Sequence, residues 1–243
     1  MNRKQIFGLI GKNISYSFSK KYFTDKFNKL HLSDNQYEIF DLPEINQVEN
    51  LFSNPEIKGL NVTIPYKEQI IPFLDELSEE AQKIGAINCI KLKNGKKIGY
   101  NTDAFGFEKT LQLHLKDFHK SALILGNGGA AKAVKFVLNK LNIPFKVVAR
   151  NTDFNFENLT ETDVQNHQLI IQTTPVGTFP NEQDCLNFPF KGLSNRHLII
   201  DLIYNPTYTQ FIKNAASYHA KTINGYFMLE QQAEKAWEIW KSS

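Results

Sequence analysis

Cysteine is scarce: the 243 residues contain two, Cys89 and Cys185. Neither lies in a C-x-x-C pair or a Cys/His cluster, and the six histidines show no ligand spacing. The expectation is therefore two reduced thiols, no disulfide framework and no metal site. Long hydrophobic runs are missing too. No apolar stretch approaches a bilayer span, which argues against a membrane-spanning helix. The opening MNRKQIFGLIG reads as a strand rather than a signal peptide, so the expected compartment is the cytoplasm. An excess of one charge is also lacking. The net charge is +3 and the lysines are scattered, which does not suit a nucleic-acid surface but does suit a small phosphate-bearing molecule. Repeats and low-complexity tracts are absent. What remains, 42% hydrophobic and 22% charged, is ordinary globular composition. The length favours two small domains, each able to bury a core.

The stretch that organises the rest is SALILGNGGAAKAV, Ser121 to Val134. An apolar run, Ala122 to Leu125, meets Gly126, Gly128 and Gly129 and opens into an alanine-rich helical segment. Gly126, Gly128 and Ala131 satisfy the spacing G-x-G-x-x-[G/A] of a dinucleotide fold. Gly126 permits the tight turn, Gly128 lets a pyrophosphate approach the backbone, and Ala131 lets helix and strand sit close. Free N–H groups at the helix start would hold the phosphates. Packing alone also produces glycine-rich turns, so the pattern by itself does not decide. An apolar second strand, Lys146 to Ala149, at the right distance strengthens it.

The first hundred residues alternate strand and helix: Gln5 to Ile10, Ser17 to Leu32, Tyr37 to Leu42, Glu44 to Phe52 and Gly59 to Ile64. In the first helix Tyr22, Phe23, Phe27 and Leu30 form the expected buried stripe. A helix at Ser78 to Ile84 precedes a hairpin, Ala86 to Leu92 and Lys97 to Tyr100, turning at Asn94-Gly95. Further on the pattern predicts a helix from Asp103 to Leu115, the glycine-rich unit, and an irregular stretch from Asn151 to Asn166. Strands at Leu169 to Gln172 and Leu198 to Leu202, a helix from Thr207 to Tyr218, a strand at Thr222-Ile223 and a helix from Phe227 to Trp240 follow. The boundary falls near Thr102. Polar residues gather at strand ends, at Asn61, Thr63, Asn88, Asn101, Thr102 and Asp103, where open α/β sheets bind ligands.

The ordered set GLIGKNISYSFSKKYF, GLNVTIPYKE, GAINC, YNTDAFGF, ILGNGGAAKA, QTTPVGT, DLIYNPTYTQF and NGYFMLEQQAEKAW resembles the shikimate dehydrogenase family over nearly the whole chain. The resemblance implies an α/β protein with a substrate domain at 1–102 and a Rossmann-type NADP domain at 103–225. The helix 226–243 would pack back on the first domain, and the active site would lie in the cleft between the two. It implies NADP-dependent interconversion of 3-dehydroshikimate and shikimate in aromatic amino acid (chorismate) biosynthesis by a monomer or homodimer. Alternatives are an NAD-using quinate/shikimate dehydrogenase, a dehydrogenase of an amino-substituted ring, or a silent dinucleotide-binding regulator.

By the same resemblance Lys67 and Asp103 are catalytic. Ser17, Ser19, Asn61, Thr63, Asn88, Thr102, Tyr204 and Gln232 bind substrate, and Gly126, Asn127, Gly128, Gly129, Ala130, Arg150, Thr174 and Gly225 bind NADP. Each residue also has a plainer explanation. Ser17 could only cap its helix, Asp103 could be an N-cap, Lys67 a solvated lysine and Tyr204 a core residue. Arg150, about 20 residues past the glycines, stands where an NAD site presents an acid, and its planar fork suits a 2′-phosphate. Asn13, Tyr16, Lys20 and Cys89 depart from the family pattern. So does the stretch after Arg150, where Ala149 replaces the usual asparagine and the second basic residue is missing.

Overall fold

The computed structural model describes residues 4–14 and 17–242, so Tyr16 lies outside the described residues. Contacts divide the chain into two units. One runs to Thr102 and takes in the chain again from Ala233, and the other is Asp103–Gln232.

The first unit contains β1 (Gln5–Gly11), α1 (Phe18–Lys29), β2 (Asn35–Asp41), α2 (Val48–Phe52) and β3 (Ile57–Val62). It continues through α3 (Tyr66–Gln69), β4 (Glu76–Leu77), α4 (Glu79–Ile84), β5 (Cys89–Lys93) and β6 (Lys96–Tyr100). Its sheet has the order β2-β1-β3-β5-β6-β4. Strand β1 pairs parallel with β2 and β3 and is buried on both faces, as its near-continuous apolar run requires. Side chains alternate across it. Ile6 and Ile10 enter one core with Leu60, Val62 and Ile90, while Phe7 and Leu9 enter another with Phe23, Phe27, Trp237 and Trp240. Helix α1 supplies that second layer through Phe23 and Phe27. It ends a turn earlier than the pattern predicts, because the chain turns at His31 with φ 55°, which leaves Leu30 48% exposed instead of buried.

The second unit contains α5 (Asp103–His114), β7 (Ala122–Leu125), α6 (Gly129–Lys140), β8 (Phe145–Val148), α7 (Glu161–Gln165) and β9 (Leu169–Gln172). Then come β10 (Leu198–Asp201), α8 (Gln210–Ser217), β11 (Lys221–Ile223) and α9 (Tyr226–Lys241), whose residues from Ala233 on pack with the first unit. The sheet is parallel, in the order β11-β10-β9-β7-β8. The chain steps outward from β7 to β8 and then crosses to β9 on the other side. Order therefore reverses between β7 and β9, and ligands of such sheets bind at the carboxyl ends of strands at that point.

Two further departures from the sequence pattern have a capping residue as their cause. Within the stretch expected to be irregular lies α7, nucleated by a capping box in which the Thr160 hydroxyl accepts from the Asp163 N–H and the Asp163 carboxylate accepts from the Thr160 N–H. Helix α8 starts at Gln210 rather than Thr207, because Thr209 is the residue that caps it, accepting from the Ile212 N–H at 3.2 Å.

Candidate active site

Ser17 and Ser19 stand at the start of α1. Ser17 is its N-cap, and its hydroxyl oxygen accepts the Ser19 N–H at 3.1 Å. Capping uses an oxygen lone pair and leaves the hydroxyl proton free, so Ser17 can cap the helix and still donate to an anion. Ser19 is buried, 8% exposed.

The end of β3 presents Asn61, 5% exposed. Its Nδ2 donates to the Asn88 carbonyl at 3.2 Å, and its Oδ1 accepts from the Tyr37 hydroxyl at 2.8 Å. Asn88, just before β5, is locked to Thr102 twice: its Nδ2 donates to Thr102 Oγ1 at 3.0 Å and its Oδ1 accepts the Thr102 N–H at 2.6 Å. Thr63 lies beside the end of β1, its N–H donating to the Ile10 carbonyl at 2.9 Å, and its methyl lies against Gly11, where a Cβ would come within 2.6 Å of it. Lys67 sits in α3, held by the Ile87 N–H, which donates to the Lys67 carbonyl at 2.7 Å. The first unit thus joins Tyr37, Asn61, Asn88 and Thr102 into one buried polar network, with Thr63 and Lys67 on the turn that leaves the same strand. Tyr37, which donates to Asn61, carries no motif signal, and the sequence pattern assigns it only to a strand. Burial pushes its phenol well above the ordinary range. Cys89 is fully buried, and burial pushes its thiol up, so it is a core residue rather than a reactive one.

In the second unit Gly126 takes φ +114°, and a Cβ there would lie 2.6 Å from Thr173 Oγ1, so both the turn and the neighbour demand glycine. Gly128 is the N-cap of α6 and makes no side-chain cap bond, and a Cβ on it would meet nothing within 4 Å. Open space therefore faces the first-turn N–H groups of Gly129 and Ala130, which have no intrahelical acceptor. Ala131 is fully buried against the sheet. Asn127 accepts a hydrogen bond from Lys135, a cation on the second turn of α6 that the sequence pattern does not single out. Across the sheet Leu125 pairs with Val148, so Asn127 and Arg150 leave adjacent strand ends. Arg150 is exposed and makes no ion pair among the described residues, while Thr152 is turned inward, its hydroxyl donating to the Ala149 and Phe154 carbonyls.

At the end of β9 Gln172 is fully buried and shapes the loop after it: its Oε1 accepts the Thr174 N–H at 2.5 Å and its Nε2 donates to the Val176 carbonyl at 3.3 Å. Tyr204 is half-buried after β10. Gly225 precedes α9, and a Cβ on it would lie 2.1 Å from the Leu202 carbonyl, which by itself explains the glycine. Asp103 begins α5 and is 7% exposed. Gly106, one turn on, lets α9 approach, since a Cβ there would meet the Met228 carbonyl at 2.5 Å and Gln232 Cβ at 3.3 Å. The open space at the α6 N-terminus, the unpaired Arg150 and the switch point together fit a phosphorylated dinucleotide.

Residues 9–90 match the family model described as the shikimate dehydrogenase substrate binding domain. Over 260 residues the chain is 37% identical to the shikimate dehydrogenase (NADP(+)) of Methanococcus maripaludis (strain C7 / ATCC BAA-1331), covering 98% of this chain and 91% of that protein. The chain belongs to the shikimate dehydrogenase family. A shikimate dehydrogenase solved in complex with NADP+ superposes with a TM-score of 0.88 at 32% identity, covering 98% of this chain and 90% of the other. The Thermus thermophilus enzyme, solved with NADP(H) and shikimate, gives 0.87 at 27% identity, with 98% and 93% covered. Both family units are present here: the mixed sheet corresponds to the substrate-binding part and the parallel sheet to the Rossmann-like NADP part. No helix among the described residues is long and apolar enough to cross a membrane.

Proposed function

We propose that the protein reduces 3-dehydroshikimate to shikimate, reversibly and with NADPH, as a step of aromatic amino acid biosynthesis. The observation that carries this reading is identity to an NADP-dependent shikimate dehydrogenase over 98% of the chain. When bound, the nicotinamide supplies the hydride, and this chain supplies orientation and the proton. We assign Ser17 and Ser19 to the substrate carboxylate and Asn61, Thr63, Asn88, Thr102, Tyr204 and Gln232 to the rest of the substrate. Lys67 donates a proton to the carbonyl oxygen as negative charge develops there, and Asp103 orients the substrate hydroxyl. Gly126, Asn127, Gly128, Gly129 and Ala130 cradle the pyrophosphate, Arg150 takes the 2′-phosphate, and Thr174 and Gly225 lie toward the nicotinamide. The free thiols of Cys89 and Cys185 suit a reducing compartment, and we place the reaction in the cytoplasm.

A spectrophotometric assay of purified protein with shikimate or quinate, each with NADP+ or NAD+, tests the reading. Turnover with shikimate and NADP+ is expected. Preference for quinate and NAD+ would reassign the substrate and coenzyme, and no turnover with any pair would remove the enzymatic reading.

A further inference from the structure

The network in the first unit contains one residue to which neither the motifs nor the proposed chemistry gives a task. Tyr37, on β2, is 2% exposed, and its ring stacks on Phe23 at 4.6 Å between centroids and 10° between planes. An aromatic ring at that place needs no hydroxyl for packing. The hydroxyl nevertheless reaches Asn61 on another strand, donating to its Oδ1 at 2.8 Å.

Counting protons fixes the direction of each bond. The Asn88 backbone oxygen can only accept, so the Asn61 amide must turn its nitrogen toward it. That places Asn61 Oδ1, an acceptor, opposite Tyr37, whose single hydroxyl proton must then be donated to it. One N–H of Asn61 remains for a ligand.

Resting on the reading of the first unit as the shikimate-binding part, we propose that Tyr37 is a positioning residue for substrate recognition. It holds the Asn61 amide in the orientation that offers N–H to a ring hydroxyl. Tyr37 itself touches no substrate. Removing its hydroxyl leaves Asn61 Oδ1 buried without a donor, an arrangement costly enough that the amide will rotate away from its bound geometry.

The test is Tyr37→Phe, which keeps the ring and its stack. One neutral hydrogen bond corresponds to roughly a five- to tenfold change in an equilibrium constant. The expected result is a rise of about that size in the KM and in the calorimetric Kd for shikimate, with kcat within about threefold and the Kd for NADP+ unchanged. In an Asn61→Ala background, Tyr37→Phe is expected to add little, because its acceptor is already gone. A purely structural hydroxyl would lower the melting temperature while leaving shikimate KM and Kd at parental values, and that result overturns the inference. So would full additivity with Asn61→Ala. If the parent neither binds nor oxidises shikimate, the functional reading fails and takes the inference with it. If the parent is active and Asn61→Ala weakens shikimate, the reading stands, and Tyr37→Phe alone decides.

Discussion

At the scale of single residues, three side chains carry separable expectations. Arg150 is exposed and has no acidic partner among the described residues, so its charge is available to a phosphate. Arg150→Ala should weaken NADP+ by roughly tenfold or more and NAD+ hardly at all, because a charge-assisted bond is worth about 1.5–3 kcal/mol. Equal losses in a fluorescence titration would remove it from the 2′-phosphate site. Losing a positioned general acid typically costs about 10²–10⁴ in rate, so Lys67→Ala should lower kcat by about that factor with NADP+ binding near parental. Turnover within a few-fold of the parent would shift the proton to a bound water. Asp201, at the end of β10, concerns stability instead. Its carboxyl is fully buried and pushed up to about 6 by burial, although Thr209 and the Ile203 N–H hydrogen-bond it. A raised carboxyl pKa means that the folded state holds the proton more tightly, so stability is fully present below the unfolded value of 3.8 and is lost as pH rises toward and through about 6. Each pH unit that separates the folded value from the unfolded one is worth about 1.4 kcal/mol. Denaturation of the parent and of Asp201→Asn across pH 4 to 7 should therefore show the parent losing roughly 2–3 kcal/mol relative to the variant. A pH-independent difference would contradict the raised value.

Elements meet here through glycine and tryptophan. In the first unit Trp240 lies flat on β3 at Gly59, where a Cβ would come within 2.3 Å of the indole, and its Nε1 donates to the Ile90 carbonyl at 3.0 Å. The same indole stacks on Phe7 at 5.0 Å, so one side chain ties α9 to β1, β3 and β5. Glu234, on α9, accepts from Tyr22 and from Lys26 at 2.6 Å and so ties α9 to the helix that carries the two serines. In the second unit the junction between β10 and α9 depends on Gly225. Its Cβ clash would be with backbone, which cannot rotate aside as a side chain can. Gly225→Ala should cost about 1–3 kcal/mol or more in chemical denaturation, the range of overpacked sites. An alanine variant of parental stability but weaker NADP+ affinity would instead make this glycine a ligand contact alone.

On the scale of the molecule, the chain leaves its first unit at Thr102 and returns to it at Ala233. The first core is therefore incomplete until the end of the chain is made, because Trp237 and Trp240 fill it alongside Phe7, Phe23 and Phe27. Losing either tryptophan would cost about 3–5 kcal/mol, and both together approach the whole stability of a small domain. A chain ending at Gln232 should lose shikimate turnover and the cooperative unfolding of the first unit while still binding NADP+, because the second unit has a core of its own. Parental activity of that truncated chain would show that the returning helix is dispensable. The sequence by itself determined the parallel sheet and the nucleotide loop. Ala122 to Leu125 and Gly126 to Ala131 are contiguous, and local turn chemistry and apolar runs suffice to write them. It also determined the family, since the motifs stand in order along the chain. It did not show α7: the pattern predicts an irregular stretch from Asn151 to Asn166, and the Thr160–Asp163 capping box lies within it. Only the tertiary structure decided that Tyr37 donates to Asn61, that Lys135 reaches Asn127, and that Trp240 needs Gly59. Those pairs are far apart along the chain or lie across elements, and no local preference encodes them; in the first and last, burial leaves the polar atom or the ring a single partner it can reach.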